Sequence, residues 1–218
     1  MTSSDTVLWD RDDAVATITL NRPRARNALT AEMKDALLEA VGLAAAEAAI
    51  RAVVLTGTGE AFCAGQDLRE HADVLACDFR IAAQRASLLM AFARVGLGAD
   101  SGASWTLQRL AGAARAAELL MLAEPVDAEQ ARGAGLFTAV VPDDEAGPRA
   151  AELARQLAAG PTAAYAGIKV QLLYSATHGL AESLENEARV QAELGATADH
   201  QAATLAFVNR QRPVFRGS

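Results

Sequence analysis

The stretch AFCAGQDL at residues 61–68 carries more structural information than any other eight residues of the 218-residue chain. It follows RAVVLTG at residues 51–57, an apolar run with the length of a buried strand that ends in a glycine. A strand, a glycine-bearing turn and then a polar residue direct backbone amides toward a ligand, and open α/β folds bind small molecules at the carboxyl ends of strands. The two runs therefore predict an α/β fold with a ligand-facing loop.

The sequence before this stretch predicts the start of such a fold. Residues 6–10 and 14–20 are rich in β-forming side chains and predict two strands. Thr30 is a suitable N-cap for a helix that runs to about Glu47, with apolar residues on one face. Together with a strand over residues 51–56, this is a strand–helix–strand unit of the parallel α/β type.

The sequence after it predicts short strands and helices. Residues 85–93 are apolar and favour a strand, whereas residues 105–122 have a helical pattern with a break near Gly112. Asp127 is expected to cap a short helix to Ala134, and residues 136–141 form the next predicted strand.

Beyond Asp144 the chain is expected to be almost entirely helical until Pro213, with interruptions at Pro161, Gly179 and Gly195. We therefore predict an α/β core over residues 1–160 and a helical region over residues 161–218. Two interpretations of the helical region remain open: it makes a cover or an oligomer contact, or it completes a single core.

Composition excludes several classes of protein. Hydrophobic residues make up 51% and charged residues 22% of the chain, as expected for a packed globular protein. The net charge of -7 argues against a general nucleic-acid binder. Cys63 and Cys77 are the only cysteines, which favours a reducing compartment and no metal site, and no apolar run approaches the ~20 residues that span a bilayer. A cytoplasmic protein without membrane partners is the expectation.

Several stretches of the sequence resemble the crotonase family, the enoyl-CoA hydratases and isomerases. They occur in the same order as in that family. They are NRP and NAL at residues 21–29, CDFRIA at 77–82, AFARVGL and DSGAS at 91–104, ELL through VP at 118–142, and Lys169 with RPVF at 212–215. The resemblance runs almost end to end. It implies a spiral of β-β-α repeats, with a C-terminal helical region that builds homotrimers, often paired into homohexamers.

The resemblance also implies a chemistry. Family members bind acyl-CoA thioesters in fatty acid metabolism and related pathways, and hold an enolate-type oxyanion between two N–H donors. One such donor contributes about 3–4 kcal/mol to transition-state stabilisation. The motif match makes the backbone N–H of Gln66 the first donor. Without the family match, residues 65–67 would be interpreted as a turn that caps a helix.

The same match assigns a binding site for the CoA part of the substrate, and no separate cofactor is implied. Guanidinium groups pair well with phosphate oxygens, and CoA carries several phosphates. Solvated surface arginines are the alternative reading. The site residues implied by the match are Arg24, Arg26, Ala28, Ala64, Gln66, Asp67 and Leu68, with Arg22 on the same loop.

The carboxylates favour an isomerase over a hydratase. Phe92 stands where hydratases of the family have their second glutamate, and it cannot transfer a proton. Asp100 stands where isomerase members have their base; the alternative is an acidic residue that precedes a helix. A buried carboxylate beside an acyl chain would have a raised pKa. The context of Asp100 and Trp105 resembles members that isomerise ring-type acyl-CoAs. A hydratase, and a non-catalytic subunit that only binds CoA or assembles, are the alternatives.

The sequence departs from the family between residues 67 and 77. Family members have a helix, a strand and a glycine-rich turn there, on the order of thirty residues or more, and this chain has roughly residues 71–76 only. The missing turn carries the second oxyanion donor of the family. Three explanations are open: a segment omitted from the sequence, a real deletion, or a second donor from elsewhere, such as near Gly96 or Gly98. We favour the first, because deleting a central strand would be severely destabilising.

Three residues near these motifs are interpreted without a catalytic role. Asp78 and Arg80 are predicted to be structural. Cys63 lies in the ligand-facing loop but has no basic partner nearby in sequence, so we do not interpret it as a nucleophile.

Overall fold

The computed structural model describes residues 5–65 and 74–218. Its N-terminal part contains one sheet in the strand order β1-β2-β3. The hydroxyl of Thr30 accepts the N–H of Met33 at 3.3 Å, so the predicted N-cap is present. The elements are β1 (Val7–Asp12), β2 (Val15–Leu20), α1 (Ala31–Ala46) and β3 (Ala52–Gly57).

The central part alternates very short strands with helices. β4 pairs with β7 in parallel, and β5 pairs with β6 in antiparallel orientation. The predicted helix over residues 105–122 is confirmed as two helices that meet at Gly112. The elements are β4 (Ile81–Ala83), β5 (Ser87–Leu88), α2 (Ala103–Ala111), α3 (Ala113–Leu122), β6 (Val126–Asp127), α4 (Ala128–Gly133) and β7 (Ala139–Val141).

The strand predicted over residues 85–93 is mostly wrong. Only Ser87–Leu88 is extended, and Ala91–Val95 forms a 3-10 helix. The strand stops at Leu88 because β6 is short: Leu88 lies opposite Val126, the first residue of β6, so residues 89–93 have no described strand opposite them. Without a longer neighbour, the remaining apolar residues have no backbone groups with which to pair.

Four helices make up most of the C-terminal part. Their interruptions agree with the prediction: Gly179 caps α7, with its N–H donated to the carboxylate of Glu182 at 3.0 Å, and α7 ends at Gly195. The last helix ends at Val208, five residues before Pro213. The helices are α5 (Ala146–Ala158), α6 (Thr162–Ser175), α7 (Leu180–Gly195) and α8 (Ala198–Val208).

The chain divides into two compact units, each with its own apolar core. The first contains residues up to Asp10, Thr17–Gly42 and Leu55–Glu152, and the second contains Arg11–Ala16, Leu43–Val54 and Leu153–Ser218. The second unit thus holds the helical region predicted over residues 161–218, together with short stretches from the first quarter of the chain. The first unit has two clusters of buried side chains, and the second has one.

One cluster of the first unit packs α1 against the sheet. The other surrounds Leu107 and Leu136, both of which are fully buried. Over residues 5–65 and 74–218, no helix is long and apolar enough to cross a membrane.

Candidate active site

Two loops of the first unit come together after strands β2 and β3. We name them the arginine loop (residues 21–29) and the glycine loop (residues 57–65). The N–H of Ala64 donates to the carbonyl of Arg26 at 2.9 Å, and the N–H of Leu29 donates to the carbonyl of Gly65 at 3.1 Å. These bonds bring Ala28 and Ala64, both predicted for the CoA site, onto adjoining chain segments.

Asn27 joins the two loops from the inside. Its side chain is fully buried, its Oδ1 accepts the N–H of Arg22 at 2.7 Å, and its Nδ2 donates to the carbonyls of Thr58 at 2.8 Å and Ala61 at 2.7 Å. Its backbone is left-handed with a φ of 55°, a conformation that asparagine tolerates better than most residues. From the sequence, Asn27 has no predicted role beyond the family motif, and its position inside an irregular loop is the signal that could have indicated one.

Gly57 makes room for this arrangement. A Cβ at this position would lie 2.4 Å from the carbonyl oxygen of Phe62 and 2.7 Å from Nδ2 of Asn27. Both distances are far inside van der Waals contact. The glycine that ends β3 is therefore required by the packing of the glycine loop against Asn27.

The three arginines of the arginine loop divide into two kinds. The guanidinium of Arg22 donates to the carbonyl of Ala28 at 2.6 Å, so it supports the loop from within. Arg24 and Arg26 are exposed. Of the arginines predicted to face CoA phosphates, these two have their charges at the surface.

The predicted oxyanion donor lies just beyond the described part of the glycine loop. Gln66, Asp67 and Leu68 lie outside the described residues, and their assignment stays a prediction. Gly65, the last described residue before them, has a φ of 85°, which is a left-handed conformation that favours glycine. Its carbonyl accepts the N–H of Leu29, so the end of the described part of the glycine loop is attached to the arginine loop.

Asp100 lies at the start of α2 and is exposed. In this structure Asp100 belongs to a turn at the surface, and its role as the base stays a prediction. Its backbone carbonyl accepts the N–H of Ala103 at 2.8 Å, and Ser101 and Gly102 both have positive φ. One turn into the helix, Trp105 is 44% exposed and carries the guanidinium of Arg109 at 3.7 Å from its ring centre.

Phe92 is half-buried and packs against the apolar cluster around Leu107. Ala99, which precedes Asp100, packs against the same cluster. The cluster therefore contacts both Phe92 and the segment that leads to Asp100. The neighbouring large apolar residues divide between the cluster and the surface. Leu88, Met90 and Phe92 pack against the cluster, whereas Leu89 and Trp105 are exposed.

The two glycines considered as sources of the second oxyanion donor, Gly96 and Gly98, differ in their backbone hydrogen bonding. The N–H of Gly96 is donated to the carbonyl of Ala93 at 3.2 Å, so Gly96 has no amide to offer in this conformation. Gly98 lies in the irregular segment before α2 and stays a candidate.

The structural interpretation of Arg80 is confirmed. Its guanidinium donates to the carbonyls of Leu136 at 2.6 Å and Cys77 at 2.5 Å, which holds the segment before β4 against the segment before β7. Cys63 is half-buried, and burial raises the pKa of its thiol above the ordinary value, which agrees with a non-nucleophilic role.

The described ranges outside these two loops offer a groove but no metal-ligating cluster. Residues 5–65 and 74–218 contain no cluster of three or more metal-ligating side chains. A surface groove of about 610 Å³ is lined by residues of α6 and α7, among them Tyr174, Glu182 and Arg189. None of its lining residues was predicted for the site.

Comparison with known proteins gives a consistent family. The enoyl-CoA hydratase/isomerase family model matches residues 10–74 and 71–218. A Rhodobacter capsulatus protein named "Probable enoyl-CoA hydratase" is 35% identical, with 99% of each chain covered. The 1,2-epoxyphenylacetyl-CoA isomerase of Escherichia coli K12 is 32% identical, covering 97% of this chain and 98% of that protein.

A solved structure of similar shape supports the fold. The enoyl-CoA hydratase of Bacillus anthracis is 27% identical, with a TM-score of 0.91, and the match covers 98% of this chain and 100% of that one. The crotonase-type fold predicted from the sequence is confirmed by this likeness.

The comparisons also indicate where this chain is shorter than its relatives. The alignment with the Rhodobacter protein runs over 257 positions, whereas this chain has 218 residues, so at least 39 positions have no counterpart here. The two stretches matched by the family model meet at residues 71–74, inside the interval that the motif spacing indicates. With a family model that spans nearly the whole chain and relatives of matching extent, this protein belongs to the enoyl-CoA hydratase/isomerase family.

Proposed function

We propose that this protein acts on acyl-CoA thioesters as an enoyl-CoA isomerase. The observation that carries the proposal is Phe92, an apolar side chain packed against the core where a hydratase of the family would place its second glutamate. A hydratase needs one carboxylate for water and one for the α-carbon. An isomerase needs only one, because the same proton leaves C2 and returns at C4.

Binding is assigned to the two joined loops. Arg24 and Arg26 are exposed and would pair with CoA phosphates, while Ala28 and Ala64 would line the CoA chain. Asp67 and Leu68 would complete this lining. The backbone N–H of Gln66 would donate to the thioester oxygen as negative charge develops on it.

The proton transfer is assigned to Asp100. Its carboxylate takes the C2 proton of a 3-enoyl thioester, and the C–H electrons form a dienolate whose oxygen is held by the Gln66 amide. Protonation at C4 then moves the double bond from C3–C4 to C2–C3, and the carboxylate is regenerated. No cofactor besides the CoA carried by the substrate takes part in this sequence.

The names of two relatives favour different activities. The name of the Escherichia coli relative, an isomerase of a phenylacetyl-type CoA, favours a ring-bearing acyl group. The name of the Rhodobacter relative favours hydration. The shortening by at least 39 positions favours a third candidate, a non-catalytic subunit that binds CoA or assembles, because it removes the turn where family members have their second donor.

We expect Asp100→Asn to lower turnover of a 3-enoyl-CoA by about 10²- to 10⁴-fold, because the amide cannot accept the C2 proton. The measurement is the rate of 2-enoyl-CoA formation with purified protein. Asp144→Asn is the matched control, because Asp144 is also exposed and its substitution removes the same charge.

Full turnover by Asp100→Asn would remove Asp100 from the mechanism. A wild-type protein that hydrates 2-enoyl-CoA but does not isomerise 3-enoyl-CoA would favour the hydratase. A wild-type protein that binds CoA and turns over neither substrate would favour the non-catalytic subunit.

A further inference from the structure

We propose that the groove between α6 and α7 binds the basic segment of a second copy of this chain. The basic segment is FVNRQRPV at residues 207–214, which begins at the end of α8 and continues into irregular backbone. The inference concerns how copies of the chain contact one another, and it does not depend on the proposed reaction.

The groove has an apolar floor and an acidic edge. Its volume is about 610 Å³, and its lining includes Val170, Leu173 and Tyr174 from α6 and Glu182, Glu185 and Asn186 from α7. Leu173 is 61% exposed, so the chain itself leaves the floor open. Glu182 accepts the N–H of Gly179 at 3.0 Å, whereas Glu185 is exposed and has no hydrogen bond or ion pair to a described residue. The carboxylate of Glu185 is therefore available to a cation.

A buried amide adds a polar requirement. Asn186 is 8% exposed, and its Oδ1 accepts from the guanidinium of Arg189 at 2.8 Å. Its Nδ2 donates to no described residue. A buried donor without an acceptor is costly, and buried polar side chains almost always have a partner. An occupant of the groove should therefore bring a hydrogen-bond acceptor, such as a backbone carbonyl, as well as apolar surface and positive charge.

The basic segment supplies these three features. Phe207 and Val214 are 84% and 75% exposed. Arg210 and Arg212 are exposed, and neither guanidinium has a partner among the described residues. No described group donates to the carbonyls of residues 211–214. The segment thus offers apolar side chains, cations and backbone acceptors that its own chain does not use.

The two surfaces also have opposite charges. The helix α7 carries four glutamates and one arginine, whereas residues 200–218 carry three arginines and no acidic residue. Complementary charges steer association and fix the register of an interface. Because one sequence encodes both the groove and its complement, a second copy of the chain meets every requirement of the groove.

The groove is not filled by the basic segment of its own chain. None of residues 207–214 lines it. The end of the segment is held elsewhere, because the guanidinium of Arg51 donates to the carbonyl of Phe215 at 3.1 Å and the carboxylate of Asp199 accepts the N–H of Arg216 at 2.7 Å. The segment is therefore an anchored loop, and a fixed conformation reduces the entropy lost on binding.

A contact of this kind joins two different surfaces of identical chains. Such a contact is heterologous, and it generates a closed ring when the rotation between copies closes. The ion pairs of the contact should weaken as salt is added, because the charges on both surfaces are exposed.

Charge reversal tests the pairing. We expect Glu185→Arg alone, and Arg210→Glu together with Arg212→Glu, to raise the dissociation constant of the assembly by about 10²-fold, because each places like charges opposite one another. The variant with all three changes should return to within about threefold of wild type, since opposite charges again face each other. Sedimentation velocity over a concentration series at low ionic strength measures the dissociation constant.

Glu187→Arg and Arg155→Glu are the matched controls. Glu187 is exposed on α7 but does not line the groove, and Arg155 is exposed on α5, outside the basic segment. Both controls should associate like wild type. Circular dichroism should show the same helical content in every variant.

Three outcomes would overturn the proposal. The first is a wild type that stays monomeric. The second is wild-type association by Glu185→Arg or by the pair Arg210→Glu and Arg212→Glu. The third is a loss of association in both that the combined variant does not recover, since recovery requires the two surfaces to face each other.

A cross-linking measurement tests the contact without changing its charges. Leu173→Cys protein is co-expressed with Val214→Cys protein and treated with a bismaleimide. We expect a covalent pair of chains in the mixture, above the background that Cys63 and Cys77 give in wild type. A mixture at the wild-type background overturns the proposal. So does a covalent pair that forms equally in Leu173→Cys protein alone, because it would place groove against groove.

Discussion

Asn27 and Asp199 are buried polar side chains that hold irregular segments through backbone hydrogen bonds. Asn27 binds the glycine loop, and the carboxylate of Asp199 accepts the N–H groups of Arg216 and Gly217, both at 2.7 Å. Irregular segments have no ladder to satisfy their backbone groups. At the residue scale, single buried acceptors and donors perform that role in this protein.

The hydrogen bond from the Arg216 N–H holds the pKa of Asp199 below its ordinary value, with smaller contributions from Gly217, Ser218 and the charge of Arg51. A lowered folded-state pKa means stabilisation that is present above the unfolded-state pKa and lost as the pH falls through the folded-state pKa. We therefore expect the attachment of the C-terminal residues 209–218 to weaken as the pH falls below about 4, the pKa of an unfolded-state aspartate, and to be lost only below the lower folded-state pKa. Hydrogen exchange at the Arg216 and Gly217 amides, followed as a function of pH, measures this attachment.

Asp199→Asn should expose the same amides to exchange at neutral pH and flatten their pH dependence. Asp144→Asn should leave both amides protected, because Asp144 is exposed and belongs to the first unit. Unchanged protection in Asp199→Asn would show that Arg51, whose guanidinium donates to the carbonyls of Gly160 and Phe215, suffices to hold the tail.

At the element scale, the boundaries depend on caps and on pairing partners. α4 begins where Asp127 and Gln130 exchange reciprocal hydrogen bonds, which is a capping box. Asp127 also ends β6, and because the pairing is antiparallel with Asp127 opposite Ser87, it sets where β5 begins. A local cap thus limits a strand that is almost forty residues away in sequence.

Asp127→Ala should lower the free energy of unfolding by about 1 kcal/mol, because the first turn of α4 loses its N-cap. Urea unfolding followed by circular dichroism measures the midpoint. Glu129→Ala is the control: its ion pair with Arg132 is exposed and is expected to contribute about 0.5 kcal/mol or less. Equal midpoints for the two variants would contradict the importance of the capping box.

At the scale of the whole molecule, a single copy exposes much apolar surface on its helices. Leu180 is 77% and Phe207 84% exposed, and Leu172 and Leu205 are exposed to about two thirds. Apolar surface of this kind commonly marks association. We propose that the chain forms a homotrimer, or a homohexamer made of two trimers.

Native mass spectrometry should give an assembly about three or six times the chain mass, and a chain that stays monomeric would contradict the proposal. The denatured spectrum gives the chain mass itself. A value of 22.7 kDa would show that the shortening is a real deletion, and a larger one would support a segment omitted between residues 71 and 77.

The sequence alone determined the first strand–helix–strand unit, most of the later helices, several caps and the family. Helices begin after Thr30, Asp127 and Gly179, which make hydrogen bonds with residues three positions further on, and such local chemistry is readable from neighbours in the chain. The family motifs likewise kept their order across the chain, which made the crotonase-type fold predictable despite the shortening.

Only the tertiary structure decided how far strands extend and which polar groups are buried. The apolar run at residues 85–93 has strand composition, but its partner β6 has two residues, so most of it is not a strand. Asp100 is exposed, and Asn27 is buried between two loops that are thirty residues apart. Pairing and burial depend on groups distant in sequence, and only folding brings those groups together.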